Sequence, residues 1–177
     1  MKNLFRSCIV LLLAAAASAT TVVPMSVEEL TRAASEVIEA HAVRSWTSWN
    51  AQHTLIYTYT TFEVTKSLKG ASVESVTVKQ VGGSADGYTQ KVSGVRQFQD
   101  GEDTLLFLRP SVARDGTLVV VGLMQGNFRV QRSSAGETLV SNGVTGAQQY
   151  EHGHVGEFRG TAMRLREAED RIAGSLR

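Results

Sequence analysis

The sequence predicts a mainly β domain: a small OB-like Greek-key barrel, with a β-sandwich as the alternative, carrying a short N-terminal helix and a C-terminal helix. Three observations predict it. Segments between Val37 and Ser141 alternate apolar and polar residues or form short apolar runs. Gly-containing turns separate those segments. Helical spacing occurs only near Val27 and after Gly160.

The N-terminus comes first. Lys2 and Arg6 precede an unbroken apolar run, Ile9 to Ala17, and Ala17-Ser18-Ala19 supplies the small residues a signal peptidase accepts. A cleaved signal peptide over 1–19 is expected. The run is too short to cross a bilayer, which takes about 20 residues. Removing 19 of the 177 residues leaves 158, read as one β-rich domain over 20–177. A domain of that size buries about 70% of its unfolded surface and folds without staples. Loss of Lys2 and Arg6 takes the 18 basic residues to 16 against 17 acidic ones, a net charge of −1. That balance gives no electrostatic footprint for nucleic acid and no polybasic patch for a membrane. The single cysteine, Cys8, goes with the leader, so the remaining chain has no disulfide, thiol nucleophile or thiolate metal site. A lipoprotein or C-terminal anchor has no support, and the expected location is secreted or periplasmic.

Ser26-Val27-Glu28-Glu29 reads as a capping box, and Val27, Leu30 and Ala34 follow at helical spacing, which predicts a helix from Val27 to about Ala34. From Val37 the period becomes two, placing Val37, Glu39, His41 and Val43 on one face and Ile38, Ala40, Ala42 and Arg44 on the other. Leu55 to Leu68, rich in β-branched and aromatic residues, is the strongest strand signal. Between them, Ser45 to His53 is a hairpin loop or a twisted strand end. Lys69-Gly70 ends the long strand. Glu74 to Val81 alternates again. Gly82 to Gly87 reads as a flexible turn and Tyr88 to Val92 as a short strand. Thr104 to Leu108 is a continuous apolar run, as in a buried strand, stopped by Pro110. Asp115-Gly116 leads into Leu118 to Leu123, Gly126 interrupts, Phe128 to Gln131 continues, and Thr138 to Ser141 is the last strand. The barrel thus covers about 37–141. Residues 142–160 read as a Gly-rich loop. A helix is expected over 161–176, with Leu165, Ala168, Ile172 and Leu176 as its apolar stripe and a Glu167–Arg171 pair across one turn.

Ser48-Trp49, Leu68-Lys69-Gly70, Gly82-Gly83, Val92-Ser93-Gly94, Phe98, Gly101-Glu102, Leu105 to Leu108, Val121-Gly122-Leu123, Gln125-Gly126 and Phe128 together resemble an uncharacterised family of exported bacterial proteins. The resemblance covers roughly residues 26–131 and implies an exported β-barrel domain. The chain is more distantly similar to netrin-like modules, including tissue inhibitors of metalloproteases, which are OB-like barrels. Those inhibitors meet the protease zinc through an N-terminal cysteine, which this chain lacks after leader removal.

Candidate sites are few. His152-Gly153-His154 with Glu151 and Glu157 is the best metal motif, since imidazoles two apart on an extended segment can face one ion. Nothing in the sequence fixes their geometry, and the string is not H-E-x-x-H. Glu39 and His41 share a strand face and could act as an acid–base pair, although an exposed polar face is the simpler account. No serine sits in a G-x-S-x-G elbow. Gly82 to Gly87 lacks the Gly-Lys-Ser/Thr ending of a phosphate loop. Trp46, Trp49, Tyr57 and Tyr59 form an aromatic group around the first hairpin; OB-like barrels stack ligands on such groups, and cross-strand packing is the simpler account. Gln125-Gly126-Asn127-Phe128 reads as a barrel corner where glycine lets a strand bend.

The expected function is therefore a non-enzymatic exported binding or interaction module, its partner a protein, peptide or glycan, with no cofactor required. One alternative is a metal-dependent protein or enzyme using the loop of Glu151, His152 and His154. Another is a protease-associated inhibitor or partner.

Overall fold

A computed structural model describes residues 20–143 and 147–177. The expected leader, 1–19, lies outside the described residues. Strands β1 (Thr20–Val22) and β2 (Glu36–Trp49) flank helix α1 (Val27–Ala33). The capping box forms as expected: Ser26 Oγ accepts from the Glu29 N–H, and the Ser26 N–H donates to Glu29 Oε2 at 2.8 Å.

Five strands close a ring. β2 pairs antiparallel with β3 (Ile56–Lys69) on one edge and with β7 (Asp103–Pro110) on the other. β3 pairs antiparallel with β4 (Ser75–Val81). β8 (Leu118–Val120) lies antiparallel to the end of β7 and touches β4 in parallel through one pair, Val78–Leu118. This order, with its single parallel junction, is that of a partly closed OB-like Greek-key barrel. Ile38, Ala42, Phe62, Val78, Leu106 and Leu108 fill the interior and are fully buried. Phe98, from the long connection before β7, plugs the ring edge-on against Phe62 at 4.8 Å.

A second core lies outside the ring. Leu105 and Phe107 point away from the interior and pack with Val37, Phe128 and Val140 under α1 and α2 (Leu165–Ser175). The run Leu105 to Leu108 is thus apolar without alternation because both faces of β7 are covered. The outer edge of β7 is shared. Its start pairs with β9 (Asn127–Arg132) and its end with β8. At the change-over, the Phe107 N–H donates to Gly126 O and Phe107 O accepts from the Val121 N–H, both at 2.9 Å. Residues 121–126 leave the sheet as a turn between these bonds. The expected strand Leu118 to Leu123 therefore stops at Val120, where Gly122 and Leu123 take φ of +66° and +65°. A Cβ on Gly126 would lie 2.8 Å from Val121 O and 3.0 Å from Phe107 O, so the motif requires glycine for close approach.

The other motif residues also have structural work. Gln125 is buried; its Oε1 accepts from the Met25 N–H at 2.7 Å and its Nε2 donates to Val23 O at 3.0 Å, tying the entry segment to the barrel. Lys69 Nζ donates to the carbonyls of Thr31 and Ala34 at 2.7 and 2.6 Å, satisfying the end of α1. Gly70, at φ +94°, lets the chain pass Ser35 O where a Cβ would stand 2.8 Å away.

Beyond the ring, β10 (Thr138–Ser141) and β13 (Ala162–Arg164) extend the sheet from β9. The expected loop 142–160 is instead largely a hairpin, β11 (Ala147–Glu151) and β12 (His154–Glu157), with β1 added in parallel to β11. Ala147 and Phe158 pack with Met124 beneath it. Its outer strand shows no period because all four residues of β12 are exposed. Likewise Gly82 to Gly87 is not a plain turn: β5 (Gly83–Ala85) and β6 (Tyr88–Gln90) pair across Asp86-Gly87, whose φ values of +50° and +81° suit a two-residue hairpin turn. The C-terminal helix begins at Leu165, its first expected residues forming β13.

Arg171 does not pair with Glu167 as expected. It reaches across to α1, where its Nε and Nη2 donate to the two carboxylate oxygens of Glu28 at 2.7 and 2.8 Å. That bidentate contact holds the Glu28 carboxyl at about 2, well below its usual value. A depressed carboxylate contributes stability above its unfolded value near 4.5, and that contribution is lost as pH falls towards 2. Glu28→Gln is expected to lower stability at pH 7 by no more than about 1 kcal/mol, the pair being partly exposed, and to flatten the fall in melting temperature between pH 5 and 2. A Gln variant that loses stability on acidification as steeply as the parent would contradict the assignment.

Candidate ligand-binding face

A bulge decides which side chains β2 shows. Val43 has no partner in the register between Ala42–Phe62 and Arg44–Thr61, so the parity of β2 flips there. Arg44, expected to share a face with Ile38, Ala40 and Ala42, is turned outward, away from the barrel interior those residues face. Trp46 follows it, opposite Tyr59, and Tyr59 is in turn opposite Lys79 on β4.

The result is a ladder across three strands. The Arg44 guanidinium lies 5.3 Å from the Trp46 ring centre. Trp46 stacks on Tyr59 at 5.4 Å with 13° between the planes. Lys79 Nζ lies 5.5 Å from the Tyr59 ring and 4.4 Å from the Tyr57 ring. Lys79 also binds Asp115 at 2.9 Å, which fastens the loop between β7 and β8 to this face. Hydrogen bonds from Thr117 and then Lys79 hold the Asp115 carboxyl well below the usual carboxylate range.

Beside Tyr57 and Lys79 a groove of about 420 Å³ opens, walled by Val112, Ala113, Val119 and Leu123. It follows the seam where β4 and β8 separate beyond their single pair. Val112 is 89% exposed. Gln80 also lines the groove and is 7% exposed; its Nε2 donates to Arg96 O at 3.0 Å, while its buried Oε1 has no hydrogen-bond partner among the described residues. Sequence reasoning missed Lys79, Gln80 and Val112, because alternation alone marks neither a seam nor a cation between two rings.

The four aromatic residues expected as one group form two. Trp46, Tyr57 and Tyr59 share the outer face. Trp49, three residues after Trp46, lies on the opposite face, paired with Ile56. It stacks with His53, meets Tyr88 edge-on, and donates from Nε1 to Asp86 Oδ2 at 3.1 Å.

The other candidates separate. Glu151 and His154 pair across the β11–β12 hairpin, and His152-Gly153 is its turn, with φ of +50° and +85°. The His152 side chain is 89% exposed. Among the described residues no group of three or more His, Cys, Asp or Glu side chains is placed to hold a metal ion, so the structure does not bring Glu151, His152 and His154 together as a ligand set. Glu39 and His41 do not pair either. His41 Nδ1 meets Asp103 Oδ1 at 2.7 Å, while Glu39 sits with Lys66 and Glu169, which themselves form an ion pair. Among the described residues no helix is long and apolar enough to cross a membrane.

Compared with protein-family models and with curated proteins, the chain matches none.

Burial pushes the Glu39 carboxyl up, and the neighbouring Glu169 adds to the rise; Lys66 opposes it and holds Glu169 down. A raised carboxyl favours the fold at low pH and loses that contribution as pH rises through its folded value. Glu39→Gln keeps the neutral form. It is expected to raise the melting temperature at pH 7, with the gain disappearing near pH 4. A Gln variant less stable than the parent at pH 7 would show that Glu39 acts chiefly as the partner of Lys66.

Proposed function

We propose that this chain is an exported binding module of the barrel family it resembles, and that its ligand, a glycan or peptide segment, lies along the outer face of β3 and β4. The observation that carries this reading is the ladder of Trp46, Tyr59, Lys79 and Tyr57 beside the seam groove. OB-like barrels present ligands on this pair of strands and on the loops that flank it. Here those loops are residues 50–55 and 111–117, and Asp115 already ties the second to Lys79.

The ladder divides the labour. Tyr59 stands between Trp46 and Lys79 and serves as packing. Tyr57 faces Lys79 and also lines the groove, which makes it the stacking contact. Trp46, 38% exposed, extends the surface at the far end. The apolar wall of Val112 and Leu123 suits one face of a sugar ring or an apolar side chain. The near-neutral balance of the chain favours such ligands over nucleic acid. Export rests on the leader pattern of residues 1–19.

Glycan and peptide arrays probed with the processed protein, followed by fluorescence titration of the best binder, test the reading. Tyr57→Ala is expected to weaken binding about 10- to 100-fold, the worth of one stacking contact, with an unchanged β-type circular-dichroism spectrum. Arrays without a binder, or a binder held equally by Tyr57→Ala, would remove this face from consideration.

A further inference from the structure

We propose that the cleft beside the β5–β6 hairpin is a second binding site, for a ligand bearing an oxyanion such as a carboxylate, phosphate or sulfate. Its volume is about 720 Å³, within the range of small-molecule sites, which runs from ~300 to ~1,000 Å³. Lys91, Arg96 and Arg129 line it, and none of its described lining residues is a carboxylate. Ser84 and Thr89 add hydroxyls on the hairpin side, hydrogen-bonded to each other at 2.8 Å.

The two guanidinium groups are anchored from behind. Arg96 Nη1 lies 2.7 Å from both oxygens of Glu102, and its Nη2 donates to Oδ1 of the buried Asn127 at 2.8 Å. Arg129 Nε stands 3.8 Å from the same Glu102, whose side chain is only 9% exposed. One carboxylate thus lies behind two guanidinium groups, and with the exposed Lys91 the site has an excess of two positive charges. The processed chain as a whole is near −1, so this concentration is local. The Arg129 side chain lines the cleft and is 40% exposed, and guanidinium donors can pair with two oxygens of a carboxylate or a phosphate. The site uses none of the ladder residues and stands apart from the reading of the β3–β4 face.

Calorimetric titration of the processed protein with sodium phosphate, sodium sulfate and sodium glucuronate tests the proposal, at ionic strength matched with sodium chloride and with glucose as the neutral probe. Direct heats are needed because phosphate and sulfate stabilise folded proteins generally. Saturable binding of at least one anion, but not of glucose, is expected, weakening as sodium chloride is added. Lys91→Gln with Arg129→Gln, both on exposed or half-exposed side chains, is expected to weaken it tenfold or more, while Tyr57→Ala leaves it unchanged. Binding of glucuronate alone assigns an organic carboxylate; binding of phosphate or sulfate assigns the inorganic oxyanion or its esters. No saturable heat with any anion, equal binding of glucose, or unchanged affinity in the double variant would overturn the proposal.

Discussion

The structure depends on one strand being covered on both faces. Leu106 and Leu108 of β7 fill the barrel, while Leu105 and Phe107 hold the two helices and the added strands β9, β10 and β13. Each fully buried leucine or phenylalanine contributes about 1.5–3 kcal/mol of transfer free energy, and four successive residues do so here. The same strand sets the topology. Its inner edge takes β2 and its outer edge is divided between β8, which closes the ring, and β9, which starts the extension. The Gly126 turn exists because an outer edge with two partners needs a place where one leaves and the next arrives.

Most residues behind the resemblance to exported barrel proteins are architectural. Lys69 ends α1, Gly70 passes Ser35, Phe98 plugs the ring, Gln125 anchors the entry segment, and Glu102 holds Arg96. A pattern of this kind specifies a scaffold. The side chains that distinguish the two proposed binding surfaces lie outside it, Tyr57, Lys79 and Val112 at the groove and Lys91 and Arg129 at the cleft, although pattern residues such as Leu123 and Gly94 also line them. One barrel can present different ligands by exchanging these surface residues while its frame stays fixed.

The legible parts of the sequence were those in which a local rule and a tertiary demand coincide. The capping box at Ser26, the long alternation of β3 and the apolar run of β7 each announced their own environment. Where a single residue shifts the pattern, reading failed. Val43 adds one position to β2, so Arg44 leaves the face of Ile38, Ala40 and Ala42 on which alternation had placed it. The β11–β12 hairpin gave no period because much of it is exposed on both sides and only Ala147 is buried. Arg171 was assigned to Glu167 by spacing, but α1 brings Glu28 closer with better geometry, a contact 143 residues apart in sequence. The candidate face was half legible: aromatic residues mark strands readily, whereas the seam beside Tyr57 arises from a barrel that closes through a single pair.

If β7 is the member on which both cores rest, its amides open only when the whole domain unfolds. Hydrogen–deuterium exchange followed by mass spectrometry measures this directly. The peptide covering Leu105 to Leu108 is predicted to exchange more slowly than any other, with an opening free energy equal to that of global unfolding by urea. Exchange of that peptide at the rate of the exposed β11–β12 hairpin would mean that the two cores are held by something other than the strand they share.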